Sequence, residues 1–273
     1  RERPATQVTG RSRVKLRNLR DPSSGGDMLV LLALQGPHSL RTLIALGVDD
    51  ITAAHLQVLK RTEMCDATVG GFDLVISRTG YTGELLGFEL FVHPDQVVDL
   101  WNTFLQLGAS FGLQPCGLAA RDSTRTEAGL PLWGHEMGGK LNIGVEASGF
   151  GSYVKTHKPW FIGRTAFMTR EDGGVVVRFR FNEKGVRMAH PGDPVLDKRG
   201  QVVGQVTSCT IDSEGRLLGQ AFVTANCATP GTRLGIFQSA SEKAEPPRAV
   251  LKYGDRVRLN DWATVLPRFM RKK

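Results

Sequence analysis

The stretch ISRTGYTGELLGFELFV (Ile76–Val92) decides how this chain is read. Its apolar flanks have strand character, yet a Gly-Tyr-Thr-Gly-Glu knuckle (Gly80–Glu84) interrupts them. The run that resumes carries a carboxylate, Glu89, between Phe88 and Leu90. Strand side chains alternate between two faces, so two readings stand side by side. Glu89 is either an outward residue of a half-buried strand or a carboxylate installed for a ligand.

Upstream, Met64–Val69 and Phe72–Ile76 predict a strand pair turning at Gly70-Gly71. MLVLLAL (Met28–Leu34) predicts a buried strand, and VKLRNL (Val14–Leu19) an alternating one. Asp21-Pro22-Ser23-Ser24-Gly25-Gly26 breaks the chain between them, and Ser39–Leu46 has helical spacing ended by Gly47. Downstream, Pro94-Asp95 opens an amphipathic helix over Gln96–Leu107, with Val97, Val98, Trp101, Phe104 and Leu105 expected on one face. A further helix fits Gly117–Glu127. Strands and helices mixed at this spacing predict an α+β region.

The character changes past Lys155–Gly163. Beyond Gly173-Gly174 come VVVRFRF, QVVGQVTSCTI, LLGQAFVT, TRLGIF and RAVLKY, short strands punctuated by turn residues. They predict a small antiparallel barrel or sandwich, with SASEKAEPPR (Ser239–Arg248) as a hairpin tip. The expected division is therefore residues 1–170 as an α+β region and 171–273 as a β domain.

Composition narrows the function classes. The 273 residues are 41% hydrophobic, enough for real cores, and no apolar run is long enough to span a membrane. The net charge of +8 invites a nucleic-acid reading, but the charge sits at the ends. Residues 1–20 carry seven Lys/Arg and one Glu, and residues 268–273 carry four Lys/Arg, so the body is slightly acidic. No nucleic-acid-binding motif accompanies that charge, and neither nucleic acid nor membrane is expected as a partner. Cys65, Cys116, Cys209 and Cys227 lack metal-ligand spacing and read as reduced core thiols of a cytoplasmic protein. The chain begins with Arg rather than Met, which suggests part of a longer polypeptide.

With these elements placed, separated blocks fall in a familiar order. LLALQGP, SRTGYTGE, GFELFV, GLAARDSTRTEAGLPLWGHE, FIGR, GQVTS and TPGTRL resemble the glycine cleavage T-protein family from about Val14 to Ile236. The resemblance implies a tetrahydrofolate-binding fold with a ferredoxin-like α+β portion followed by a C-terminal antiparallel β-barrel. It implies an aminomethyltransferase, which moves a one-carbon unit from an aminomethyl-lipoyl carrier protein to tetrahydrofolate with release of ammonia. Residue by residue, Glu89 matches the family Glu that accepts the paired donors of the pterin edge. Such a contact is charge-assisted and gains strength where water is excluded.

Arg121, in AARDS, matches a family Arg that contacts the folate; the alternative is a structural salt bridge with Asp122 or Glu127. Tyr81 supplies either a pocket wall or hydroxyl, or simply a turn residue packed on the core. His135 and Glu136 read as a structural loop end. Two departures stand out. Glu84–Gly87 reads Glu-Leu-Leu-Gly, one residue longer than the family's Glu-x-Gly, and a one-residue slip exchanges the faces of a strand. The family's Gly-Gly-x-x-Asp-Asp block, with its catalytic Asp, has no match here, so that Asp is expected upstream and the chain by itself is expected to be inactive. The unusual Gly-Phe-Gly-Ser-Tyr run (Gly149–Tyr153) leaves open a demethylase acting on a small methylated compound. A non-enzymatic folate-binding accessory role is the third reading.

Overall fold

The computed structural model describes residues 17–238, 251–257 and 261–269. The chain divides into two compact units, one of Arg1–Gly80 with Glu84–Pro115, the other of Tyr81–Gly83 with Cys116–Lys273. The division expected at 170/171 falls inside the second unit.

The first unit is built on β1 (Val30–Gln35), β2 (Met64–Val69), β3 (Phe72–Ser77) and β4 (Gly87–Val92). They form one antiparallel sheet in the order β1-β4-β3-β2. β2 and β3 are joined by Gly70-Gly71, at φ 60° and 84°. Two successive positive φ values fit the tight hairpin turn that matches strand twist, and glycine reaches them without strain. Alternation then decides the faces. Phe88, Leu90 and Val92 are fully buried, as is Ile76 of β3, and Leu34 of β1 is buried beside them. Against them pack Leu43 of α1 (Ser39–Ala45) and Leu100 and Phe104 of α3 (Pro94–Gly108). The opposite face of β4 carries Glu89 and Phe91, beside Ala33 and Leu31 of β1 and Ser77 and Val75 of β3.

Several expectations shift in detail. The buried stripe of α3 runs through Val97, Leu100, Phe104 and Gly108, while Val98 and Trp101 are exposed. The helix is rotated from the expected face because the 3-4-4 spacing of that stripe tracks the helical period. A helix not anticipated, α2 (Asp50–Val58), starts at Asp49, whose carboxylate accepts the Thr52 N–H at 2.8 Å. Its only buried residue is Leu56, so hydrophobic periodicity gave little signal, although the Asp cap was present. Of the strand expected over Val14–Leu19, residues 14–16 lie outside the described residues, and Arg17–Leu19 is not in a strand. The Leu19 carbonyl accepts the Leu29 N–H at 2.8 Å.

The second unit contains α4 (Leu118–Ala128), α5 (Arg164–Thr169) and a closed barrel. Its strands are β5 (Val175–Phe181), β6 (Pro194–Leu196), β7 (Val202–Ile211), β8 (Leu217–Val223), β9 (Arg233–Ile236) and β10 (Asp261–Leu266). All pairs are antiparallel, in the closed order β10-β5-β8-β7-β6-β9. Phe179, Phe181, Val195, Val206, Ala221, Leu234, Ile236 and Ala263 fill the interior. Closure removes the exposed edges that such short strands would otherwise leave. An α+β region followed by a small antiparallel barrel is thus the observed class. β6 and β10 were not anticipated: β6 is only three residues, and β10 begins with a charged residue. In RAVLKY, residues 248–250 lie outside the described residues and Leu251–Tyr253 is not strand. The hairpin tip expected at Ser239–Arg248 also lies outside them.

Candidate functional site

Glu89 occupies a central strand of the first unit, on the face away from the helices. Its cross-strand neighbours are Ala33 in β1 and Ser77 in β3. The longer Glu-Leu-Leu-Gly segment does not displace it. β1 and β4 pair without a shift from Gly87 opposite Gln35 to Val92 opposite Val30. The extra residue is absorbed before the strand: Leu85 is exposed, its carbonyl takes the Arg78 Nη2 donor at 3.2 Å, and the Leu86 carbonyl takes the Gly36 N–H at 3.0 Å. Glu89 is half-buried. The Thr79 hydroxyl donates to its Oε2 and lies 3.0 Å from Ser77 Oγ. Among the described residues Oε1 accepts no hydrogen bond, so half of the carboxylate is held by the protein and half is unengaged.

Tyr81 and Arg121 belong to the second unit. The Tyr81 hydroxyl donates to the Pro131 carbonyl, so its one proton is committed and the ring is what remains for a ligand. Burial pushes the phenol above its ordinary pKa, against a smaller pull from the positive charge of Arg125. Arg121 lies in the first turn of α4, exposed, and among the described residues it forms no ion pair. The salt bridge considered for it is made by a different residue. Asp122 pairs with Arg125, three residues on, and the Glu127 carboxylate accepts the Ser213 hydroxyl at 2.8 Å.

Arg125 is the residue that spacing alone did not single out. It is 1% exposed and sits at the hub of a network. Its Nη1 lies 2.6 Å from Glu136 Oε2, its Nε 2.7 Å from Asp122 Oδ1, and its Nη2 2.8 Å from Ser208 Oγ. The Ser208 hydroxyl donates in turn to Glu136 Oε1 at 2.6 Å, and the Leu132 N–H to Glu136 Oε2 at 3.0 Å. Glu136 is fully buried, in accord with its reading as a structural loop end, while His135 beside it is exposed. The network ties α4 and the loop after it to β7. The signal available in the sequence was the i, i+3 spacing of Asp122 and Arg125.

Burial pushes the Cys209 thiol up to about 11, far from the thiolate range at neutral pH. Burial likewise pulls Arg268 down to about 10, its guanidinium donating to the Gly129 carbonyl and, at 2.7 Å, to the Ser148 carbonyl. Among the described residues no group of three or more His, Cys, Asp or Glu could hold a metal ion, and no helix is long and apolar enough to cross a membrane. What the described residues offer is a half-engaged carboxylate on an open sheet face and an unpaired surface arginine at a helix start.

The chain is 36% identical over 216 residues to a protein of Halothermothrix orenii named aminomethyltransferase, covering 77% of this chain and 57% of that one. It is 40% identical over 212 residues to an aminomethyltransferase of Streptomyces avermitilis, covering 76% of this chain and 55% of the relative. The chain thus spans little more than half the length of these relatives. A crystal structure of the glycine cleavage system aminomethyltransferase T from Bartonella henselae superimposes with a TM-score of 0.67 at 24% identity, over 88% of this chain and 58% of that one. That likeness supports the fold. The family model of the GCVT N-terminal domain matches residues 13–158, more than half of the chain. The block carrying Glu89 and the one carrying Arg121 both fall within that match, and the chain belongs to the GCVT, or glycine cleavage T-protein, family.

Proposed function

We propose that this chain binds tetrahydrofolate and serves an aminomethyltransferase reaction, in which a one-carbon unit passes from an aminomethyl-lipoyl carrier protein to the folate. The observation that carries the reading is Glu89, a half-buried carboxylate with Oε1 unengaged on the open face of a central strand. A reduced pterin presents a 2-amino group and an adjacent ring N–H side by side. An ionised carboxylate is acceptor-only and can take both. The residues present therefore fit the edge of the group.

Tetrahydrofolate, when bound, supplies the nitrogen that accepts the one-carbon unit. The part assigned to this chain is to hold the ring in one orientation, and positioning of that kind accounts for a large share of catalysis between two bound reactants. Arg121 is assigned to the polar linker or carboxylate tail of the folate, since a planar guanidinium matches a carboxylate in a two-pronged contact. Its exposed position without an ion pair supports that assignment. The Tyr81 ring is assigned a packing role against the ligand.

The defining experiment is formation of methylene-tetrahydrofolate from an aminomethylated lipoyl carrier. It is run with this chain alone and with the chain extended to the length of its relatives. Carrier-dependent product from the extended form, reduced in Glu89→Gln at limiting tetrahydrofolate, is the expected result. Product from a methylated small molecule instead of the carrier would favour a demethylase. Folate binding with neither product would leave an accessory role. A separate prediction concerns Arg121. Arg121→Ala should weaken tetrahydrofolate binding by roughly 1 kcal/mol, the scale of an exposed ionic contact. The ligand-free melting transition should hold within about 0.5 kcal/mol, as for surface substitutions. Unchanged affinity with a lowered melting temperature would make Arg121 structural.

A further inference from the structure

The way Glu89 is aimed carries an inference that rests on the folate reading above. Gln35, the last residue of β1, stands opposite Gly87. Its Nε2 donates to two carbonyls, Thr79 and Phe88, each at 3.2 Å. Thr79 directly precedes the Gly80–Glu84 knuckle, and Phe88 lies in β4 beyond it. The amide fits there because two glycines leave room for it. A Cβ on Gly80 would fall 1.9 Å from Gln35 Oε1, and one on Gly87 2.3 Å from the same atom. The knuckle is thereby fastened to β4 where the Thr79 hydroxyl meets Glu89 Oε2. On the other side of that hydroxyl is Ser77, the cross-strand neighbour of Glu89.

A glutamate side chain has a broad terminal torsion, so strand geometry alone does not set the plane of its carboxylate. One fixed hydroxyl on one oxygen does. It takes one of about four lone-pair positions and leaves enough for two incoming donors. Fixing the group before the ligand arrives also removes an ordering cost from binding. We infer that Gln35 and Thr79 are positioning residues. Gln35 sets the backbone of Thr79, and the Thr79 hydroxyl holds Oε2 so that Oε1 is presented to a ligand edge carrying paired N–H donors. Neither residue touches the ligand in this account. Both act through Glu89.

The test is a double-mutant cycle on the full chain, with tetrahydrofolate as the probe in anaerobic titration calorimetry. Thr79→Val should weaken binding about tenfold, the scale of one hydrogen bond to a charged group. In a Glu89→Gln background the same change should weaken it by less than about twofold, because the group it orients has gone. Thr79→Ser, which keeps the hydroxyl, should restore binding, and Gln35→Ala should follow Thr79→Val. Thermal melts of each variant without ligand separate loss of fold from loss of aim. Equal weakening in both backgrounds, or none in either, overturns the relay while leaving the folate site standing. If Glu89→Gln alone binds as the unmodified chain does, or if the unmodified chain does not bind, the folate assignment fails and the relay with it.

Discussion

Arg125→Ala is expected to destabilise the second unit by about 3–5 kcal/mol, read as a fall in its urea midpoint. That is the usual cost of removing one partner of a buried ion pair. The size follows from what is left behind. Glu136 is fully buried and takes hydrogen bonds from Arg125, Ser208 and the Leu132 N–H. Without the guanidinium its charge is uncompensated in a site closed to water. Arg125→Lys should recover only part of the loss, because a single ammonium cannot reach Asp122, Glu136 and Ser208 together in the fork geometry that arginine provides. Replacing Arg125 and Glu136 together by Met should cost far less than either single change, since apolar pairs of similar volume often replace buried ion pairs at little net cost. A loss under about 1 kcal/mol for Arg125→Ala would show that the network adds nothing beyond its desolvation penalty.

Glu89→Gln is expected to weaken tetrahydrofolate binding by about 1–3 kcal/mol, the cost of a mismatched polar group in a partly closed site. The substitution keeps shape and volume but turns one acceptor into a donor. That donor then faces either the ligand's own N–H or the Thr79 hydroxyl, which must rotate to accept. The ligand-free fold should be little affected, because Phe88, Leu90 and Val92 bury the other face of β4 and Glu89 contributes nothing to that core. Titration calorimetry on protein matched for melting temperature checks both halves. Unchanged affinity would remove Glu89 from the site.

The elements with strong local chemistry were legible in the sequence. Gly70-Gly71 announced its hairpin because few other residue pairs adopt two positive φ values without strain. Pro94 and Asp95 announced α3, and the alternation of Phe88, Leu90 and Val92 set Glu89 apart from them, although which face it takes follows from the register with β1 and not from the longer loop before the strand. What stayed hidden depended on partners far along the chain. β6 is three residues whose strand character comes from lying between β7 and β9. The importance of Arg125 becomes visible only when Ser208, 83 residues on, is brought against it. The same holds for Gln35, whose role depends on carbonyls 44 and 53 residues away and on two glycines that make space for its amide. Local spacing offered Arg121 a salt bridge with Asp122 or Glu127; Asp122 pairs instead with Arg125, leaving Arg121 at the surface.

Whether Glu89 holds the edge of a reduced pterin can be seen in a crystal structure of the chain grown with tetrahydrofolate under anaerobic conditions. The 2-amino group and the adjacent ring N–H should both lie within hydrogen-bond distance of the Glu89 carboxylate, with Oε2 still receiving the Thr79 hydroxyl. A pterin bound elsewhere, with Glu89 Oε1 facing only water, would contradict that role.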